Sequence, residues 1–171
     1  MKSSYLIRAY KFAKQVLPYL ENCSTPLGYE WAIRDYNRAH KRKVICASGM
    51  TRIALITSDY VIKFDYNEGG AQRFGGCENE VEFYKYAKDN GYGDLFAAIT
   101  RIMVGGRFCY VMPRINGIGR YEDRYVQEFL DCDDADFVDE HLQDLHDQNY
   151  GWKNGYPVII DYACNDLASL W

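Results

Sequence analysis

Apolar residues fall at positions 5, 6, 9, 12, 13, 16, 17 and 20, a single stripe at helical spacing that predicts an α-helix over residues 5–20. The run NCSTPLG interrupts it, with Pro26 and Gly28 as breakers, and a second helix is expected over residues 29–40. From Lys43 the period changes. KVICAS, RIALITS and YVIKFDY are three β-rich runs joined by short turns, which favours an antiparallel meander. Residues 77–93 return to helix, with Val81, Tyr84 and Lys88 along one line and Asn90-Gly91 as the stop. FAAITRIMVGGRFCYVMPRI reads as two strands joined at Gly105-Gly106, a hairpin signal. A polar helical region follows over residues 121–145, and then a short hairpin that ends in the run PVIID. The pattern predicts an α+β protein whose middle is three strands, one helix and two strands.

Composition changes this picture little. The chain has 171 residues, 48% hydrophobic and 26% charged, enough to bury a real core in one domain or two small lobes. Sixteen tyrosines are more than usual and read as amphipathic strand and helix faces, with a binding surface rich in half-buried contacts as the other reading. A net charge of −4 gives no global pull toward nucleic acid. The one basic cluster, RAHKRK from Arg38 to Lys43, reads as a solvated helix end, with a phosphate-binding patch as the alternative.

Cysteines at 23, 46, 77, 109, 132 and 164 have no zinc-knuckle spacing. Arg8, Lys11 and Lys14 break up the N-terminus before an apolar leader forms, and no run reaches the roughly 20 apolar residues of a membrane span. The expectation is a reduced, cytoplasmic protein with no membrane segment. DCDDADFVDEHL fails as a calcium loop at Ala135, Asp136 and Leu142.

The stretch DLHDQNYGWKNGYPVIIDY, residues 144–162, carries the chemistry. A turn with Asp144 and Asn149, followed by a hairpin ending at Asp161, brings three oxygen-bearing side chains to one mouth. Two of them can hold Mg²⁺, a hard cation satisfied by few carboxylates plus substrate phosphates, while the third takes a proton from a hydroxyl. Taken singly, Asp144 and Asn149 are also ordinary turn formers, Lys63 a strand-edge lysine and Glu80 a solvated helix residue.

DLHDQN at 144–149 resembles the catalytic loop of protein-kinase-like phosphotransferases, in the form found in aminoglycoside and small-molecule kinases. PVIIDY at 157–162 is similar to their metal-binding strand, with Tyr-Ala after the aspartate instead of Phe-Gly. Upstream and in the same order, VIK ends in Lys63 on the third strand, Glu80 lies on the next helix, and FCYVMPRI matches the fifth strand and adenine hinge. The resemblance covers about residues 43–165. It implies a protein-kinase-like fold: residues 1–42 as an N-terminal helical extension, 43–115 as an N-lobe with a five-stranded antiparallel sheet and an αC-type helix, and 116–171 as a reduced C-lobe. It further implies that ATP and Mg²⁺ are bound. Lys63 would grip the α- and β-phosphates, Glu80 would orient that lysine, Gly49 and Arg52 would cover the phosphates, and Met112 would begin the linker Met112 to Arg114. Asn149 and Asp161 would hold the metal, and Asp144 would act as base; His146 and Asp147, on the same turn, would have structural hydrogen-bonding roles.

The departures are specific. The phosphate-covering loop ASGMTRIAL has one glycine where the family has three. The family's usual histidine sits one place early, at His141, and the chain closes ten residues after Asp161. In this compactness it resembles kinase-like proteins encoded by bacteriophages, for which the setting would be host cytoplasm. Two functions stand against each other: a minimal kinase acting on an unknown hydroxyl of a small molecule or protein, and a catalytically inactive kinase-fold protein docking on a host protein.

Overall fold

The computed structural model describes residues 3–49, 51–66, 76–117, 130, 132–143 and 145–166. It is an α+β protein with a five-stranded antiparallel sheet and, among the described residues, four α-helices. Contacts divide the chain into two compact units, residues 1–71 with 100–114 and residues 72–99 with 115–171.

In the first unit, helices α1 (Ser3–Leu20) and α2 (Pro26–His40) precede strands β1 (Ile45–Ser48), β2 (Arg52–Ile56) and β3 (Tyr60–Asp65). Strands β4 (Thr100–Val104) and β5 (Arg107–Pro113) complete a sheet of order β1-β2-β3-β5-β4. Alternate residues of the strands, among them Ile53, Leu55, Ile62, Phe64 and Val111, bury against Phe12, Val16, Ile33 and Tyr36 of the two helices. One sheet face is therefore the helix-covered core, and the residues between, Val61 and Lys63 on β3, belong to the opposite face. The β4–β5 hairpin turns at Gly105 and Gly106, with φ of 60° and 84°, the left-handed pair that a tight two-residue turn requires.

One local expectation needs correction. Pro26 and Gly28 do not separate the helices; they start the second one. Pro26 takes the first turn, where its missing N–H costs nothing, and Thr25 caps it by accepting the Gly28 N–H at 3.1 Å. The helix ends at Lys41, which is left-handed, and Asn37 then clamps the exit by bonding both the N–H and the carbonyl of Val44 at 2.9 and 2.8 Å.

The second unit holds α3 (Cys77–Asp89), a short 3₁₀ turn (Gly93–Leu95), α4 (Cys132–His141), a second 3₁₀ turn (Asp147–Asn149), and a small sheet of order β6-β7-β8. Its strands are β6 (Asn116–Gly117), β7 (Tyr150–Lys153) and β8 (Tyr156–Ile159). The buried stripe of α3 is Cys77, Glu80, Val81, Phe83 and Ala87, while Lys88 is exposed. The line through Val81, Tyr84 and Lys88 thus marks the edge of the buried face, because a charged terminus stays in water. The polar helical region ends at His141, earlier than expected, because Leu142 bridges to Asn165; residues 121–129 of that expectation lie outside the described residues. Phe83, Tyr86, Tyr92, Phe96, Phe137 and Tyr162 form an aromatic core, with Tyr92 and Phe137 stacked at 4.0 Å. Much of the tyrosine excess is core. No helix among the described residues is long and apolar enough to cross a membrane.

Candidate active site

In the first unit, the β1–β2 turn closes through the Gly49 N–H, which donates to the Arg52 carbonyl at 2.9 Å. The Tyr66 hydroxyl donates to the Gly49 carbonyl at 3.0 Å, and the Tyr66 ring stacks on Tyr29 of α2 at 5.5 Å. The turn is fastened to the helical layer. Among the described residues nothing demands glycine at position 49: a Cβ there would meet the Arg52 carbonyl at an ordinary 3.6 Å. Arg52 is half-buried and faces Asp65 across the β2–β3 ladder.

Lys63 is not a strand-edge lysine. It sits in the central strand, flanked in register by Ala54 on β2 and Tyr110 on β5, and is 5% exposed. Holding an ammonium that deep is costly unless polar groups meet it. Met112 is buried on the same sheet face, opposite Val61. The linker expected at Met112 to Arg114 belongs in part to β5, which runs through Pro113. Arg114 is tied to the β2–β3 turn, its N–H donating to the Asp59 carbonyl at 3.0 Å and its guanidinium to the Thr57 carbonyl at 2.9 Å. The boundary between the two units falls immediately after it.

In the second unit, Glu80 is fully buried, not solvated. Its Oε1 accepts the backbone N–H of Tyr162 at 3.2 Å, so the carboxylate is tied to the residue directly after Asp161. Tyr162 is itself buried. Its ring packs edge-on against Phe96, and its hydroxyl donates to the Ala97 carbonyl at 2.6 Å. Burial, reinforced by the charges of Glu80 and Asp161, pushes this phenol well above the usual tyrosine range. A backbone carbonyl thus satisfies the buried hydroxyl.

The hairpin sets Asn149 beside the end of β8. Tyr150 pairs with Ile159, and one step further the Ile160 N–H donates to the Asn149 carbonyl at 2.7 Å. Asn149 is 7% exposed and Asp161 half-buried, both at the same end of the hairpin. Asp144 itself lies outside the described residues. Its neighbour Gln143 donates its N–H to the Cys164 carbonyl at 3.1 Å, which holds the chain on the N-terminal side of Asp144 against the segment that follows Asp161.

Several supporting contacts carried no signal in the sequence. Asn165 donates to the Tyr162 and Asn79 carbonyls at 2.8 and 3.5 Å, joining that segment to α3. His141, 9% exposed, places Nδ1 at 2.9 Å from the Asp166 carboxylate and Nε2 at 3.4 Å from the Tyr86 hydroxyl. Partners 25 and 55 residues away leave no pattern in a linear reading.

One amide oxygen and one carboxylate fit Mg²⁺, which takes hard oxygen donors and leaves several positions to phosphates and water. Among the described residues no three His, Cys, Asp or Glu side chains converge as a metal cage.

The fold and these residues define an α+β protein with a buried Lys on its main sheet and, in the second unit, a linked Glu, Asn and Asp. No family model matches the chain, and no curated protein matches it. Among solved structures the chain is similar to WbdD, in its co-crystal structure with the kinase inhibitor LY294002, at 16% identity and a TM-score of 0.35. The similarity covers 69% of this chain and 32% of that one, so the chain spans about a third of that protein's length.

Proposed function

We propose that the chain is a minimal kinase-like phosphotransferase that moves the γ-phosphoryl group of ATP to a hydroxyl of a small molecule or protein. The observation that carries this reading is the linkage within the second unit. The buried Glu80 carboxylate holds the backbone next to Asp161, and the same segment is bonded to Asn149. A carboxylate is rarely buried whole unless it is paired, and the partner here is the backbone beside Asp161.

In this reading Lys63 grips the α- and β-phosphates, Glu80 orients the nucleotide lysine, and the backbone around Gly49 approaches the phosphates, with Arg52 adding a charge-assisted contact. Met112 and the following linker receive adenine. Asn149 and Asp161 would hold Mg²⁺, which when bound neutralises charge on the phosphates. Asp144 accepts the proton of the substrate hydroxyl as its oxygen bonds to the γ-phosphorus, and ADP departs with the bond electrons. The setting is a reducing cytoplasm, in keeping with six cysteines present as thiols.

A second reading, a kinase-fold module that docks on a host protein without turnover, is favoured by one observation. Ile7 and Tyr10 on α1, and Leu27 and Trp31 on α2, are about half exposed at helical spacing.

Melting with Mg·ATP tests the leading reading. A ligand at 100 times its dissociation constant stabilises a folded state by about 2.7 kcal/mol, a shift of a few degrees at this length. That shift is expected for the unaltered protein and should shrink in Lys63→Gln and Asp161→Asn. Its absence at millimolar Mg·ATP would favour the docking module.

A further inference from the structure

The basic run that closes α2 is solvent-exposed, and two of its cations also line a concavity. After the left-handed Lys41, the clamp of Asn37 on Val44 turns the chain back, and Arg42 and Lys43 meet Arg8 and Lys11 of α1 around a concavity of about 420 Å³. Its third wall is the β2–β3 turn, where Thr57 is bonded at Oγ1 to the Tyr60 carbonyl at 2.7 Å. Its floor is apolar and packed: Phe12, Tyr36, Val44 and Tyr60 are all buried. Four cations from two separate segments face one carboxylate, Asp59, in a protein whose net charge is −4. Like charges gathered in this way repel one another, and the one opposing contact is weak. Arg8 and Asp59 pair at 3.0 Å with both side chains about half exposed, a pair that a better anion can displace. Lys11, Arg42 and Lys43 make no ion pair among the described residues. The field of Arg42 is felt at the floor, where it opposes the upward shift that burial imposes on the Tyr36 phenol.

The geometry points to a binding site for a compact multivalent oxyanion, a diphosphate or a small polycarboxylate, held between α1, the end of α2 and the β2–β3 turn. Arginine forks and lysine point charges are the side chains that bind such groups, and the size suits a small molecule. Gln15 and Ser58 on the walls add neutral hydrogen-bonding groups. The site lies wholly in the first unit and uses none of the residues assigned to nucleotide, so it stands whether or not the kinase reading does. The β2–β3 turn that forms one wall also holds Arg114 through the Thr57 and Asp59 carbonyls, so an anion here contacts the turn that anchors the end of β5.

Calorimetric titration of the whole protein with pyrophosphate and, separately, with citrate, in EDTA and at low ionic strength, tests this. At least one is expected to bind with one-to-one stoichiometry, more weakly as salt is raised, and the tighter of the two identifies the group as phosphate or carboxylate. Arg42→Gln with Lys43→Gln should weaken binding roughly tenfold or more. Arg34→Gln, an exposed α2 charge outside the concavity, should leave it unchanged. Asp59→Asn removes the competing carboxylate and should tighten binding, a gain that misfolding cannot mimic. Lys63→Gln separates this site from nucleotide residues, because pyrophosphate held here remains bound. The proposal is overturned if neither anion saturates, if Arg34→Gln weakens binding as much as the double variant does, if Asp59→Asn does not tighten it, or if Lys63→Gln abolishes it.

Discussion

Tyr162 shows what a single hydroxyl does in the second unit. Removing it by Tyr162→Phe leaves the Ala97 carbonyl without its 2.6 Å donor in a buried position, an expected loss of about 1–3 kcal/mol in urea unfolding. Burial raises this phenol's folded-state pKa above its unfolded value, so its neutral form adds stability that is full below about pH 10 and is lost as pH climbs past it. Stability should therefore fall above about pH 10, and Tyr162→Phe should make that fall shallower by up to about 1.4 kcal/mol per pH unit. An unchanged alkaline slope would contradict the burial. Cys46 gives a second residue-scale expectation. Burial, helped by Glu30 and Cys23, pushes its thiol up to about 11. At mildly alkaline pH iodoacetamide should label exposed Cys132 well before Cys46, as read by peptide mass mapping. Equal labelling rates would contradict this.

Among the elements, the hairpins were the most legible. Gly105-Gly106 names its own turn, and the three β-rich runs before it fall on β1 to β3 in the expected order. The start of α2 was misread because Pro26 and Gly28 serve either as breakers or as a helix start, and only the Thr25 cap decides. The buried face of α3 was blurred because its centre is a carboxylate, Glu80, which no hydrophobic pattern places inside. The β7–β8 hairpin carries Asn149 and Asp161 on one end and turns at Asn154 and Gly155 with φ of 56° and 86°. A Cβ at Gly155 meets nothing within 4 Å, so Gly155→Ala should cost only its backbone strain, about 1–2 kcal/mol. Gly49→Ala should cost no stability, having neither positive φ nor a close neighbour, yet should weaken Mg·ATP binding if the backbone there approaches phosphate. Melting of both variants with and without Mg·ATP separates the two glycines. A Gly49→Ala protein that binds as tightly as the original would remove Gly49 from the nucleotide residues.

At the scale of the molecule, the residues singled out by order along the chain divide between two compact units. Gly49, Arg52, Lys63 and Met112 lie in the first, and Glu80, Asn149 and Asp161 in the second. Their types and order were legible because each is a single side chain read directly along the chain. Their supports were not, because Tyr162, Asn165 and the His141–Asp166 pair are fixed by contacts between distant segments. The proposal that this chain transfers a phosphoryl group turns on Asp144. In that proposal the base would meet only the substrate hydroxyl, so its loss should spare nucleotide binding and strike the chemical step. The direct measurement is the rate of ADP formation from Mg·ATP by the unaltered protein and by Asp144→Asn, with folding and Mg·ATP affinity checked by melting. The expected result is measurable turnover that falls on the order of 10²–10⁴-fold in Asp144→Asn while the Mg·ATP melting shift is retained. An Asp144→Asn protein that turns over ATP as fast as the original, or an unaltered protein that binds Mg·ATP and forms no ADP even when cell extract supplies hydroxyl acceptors, would contradict it.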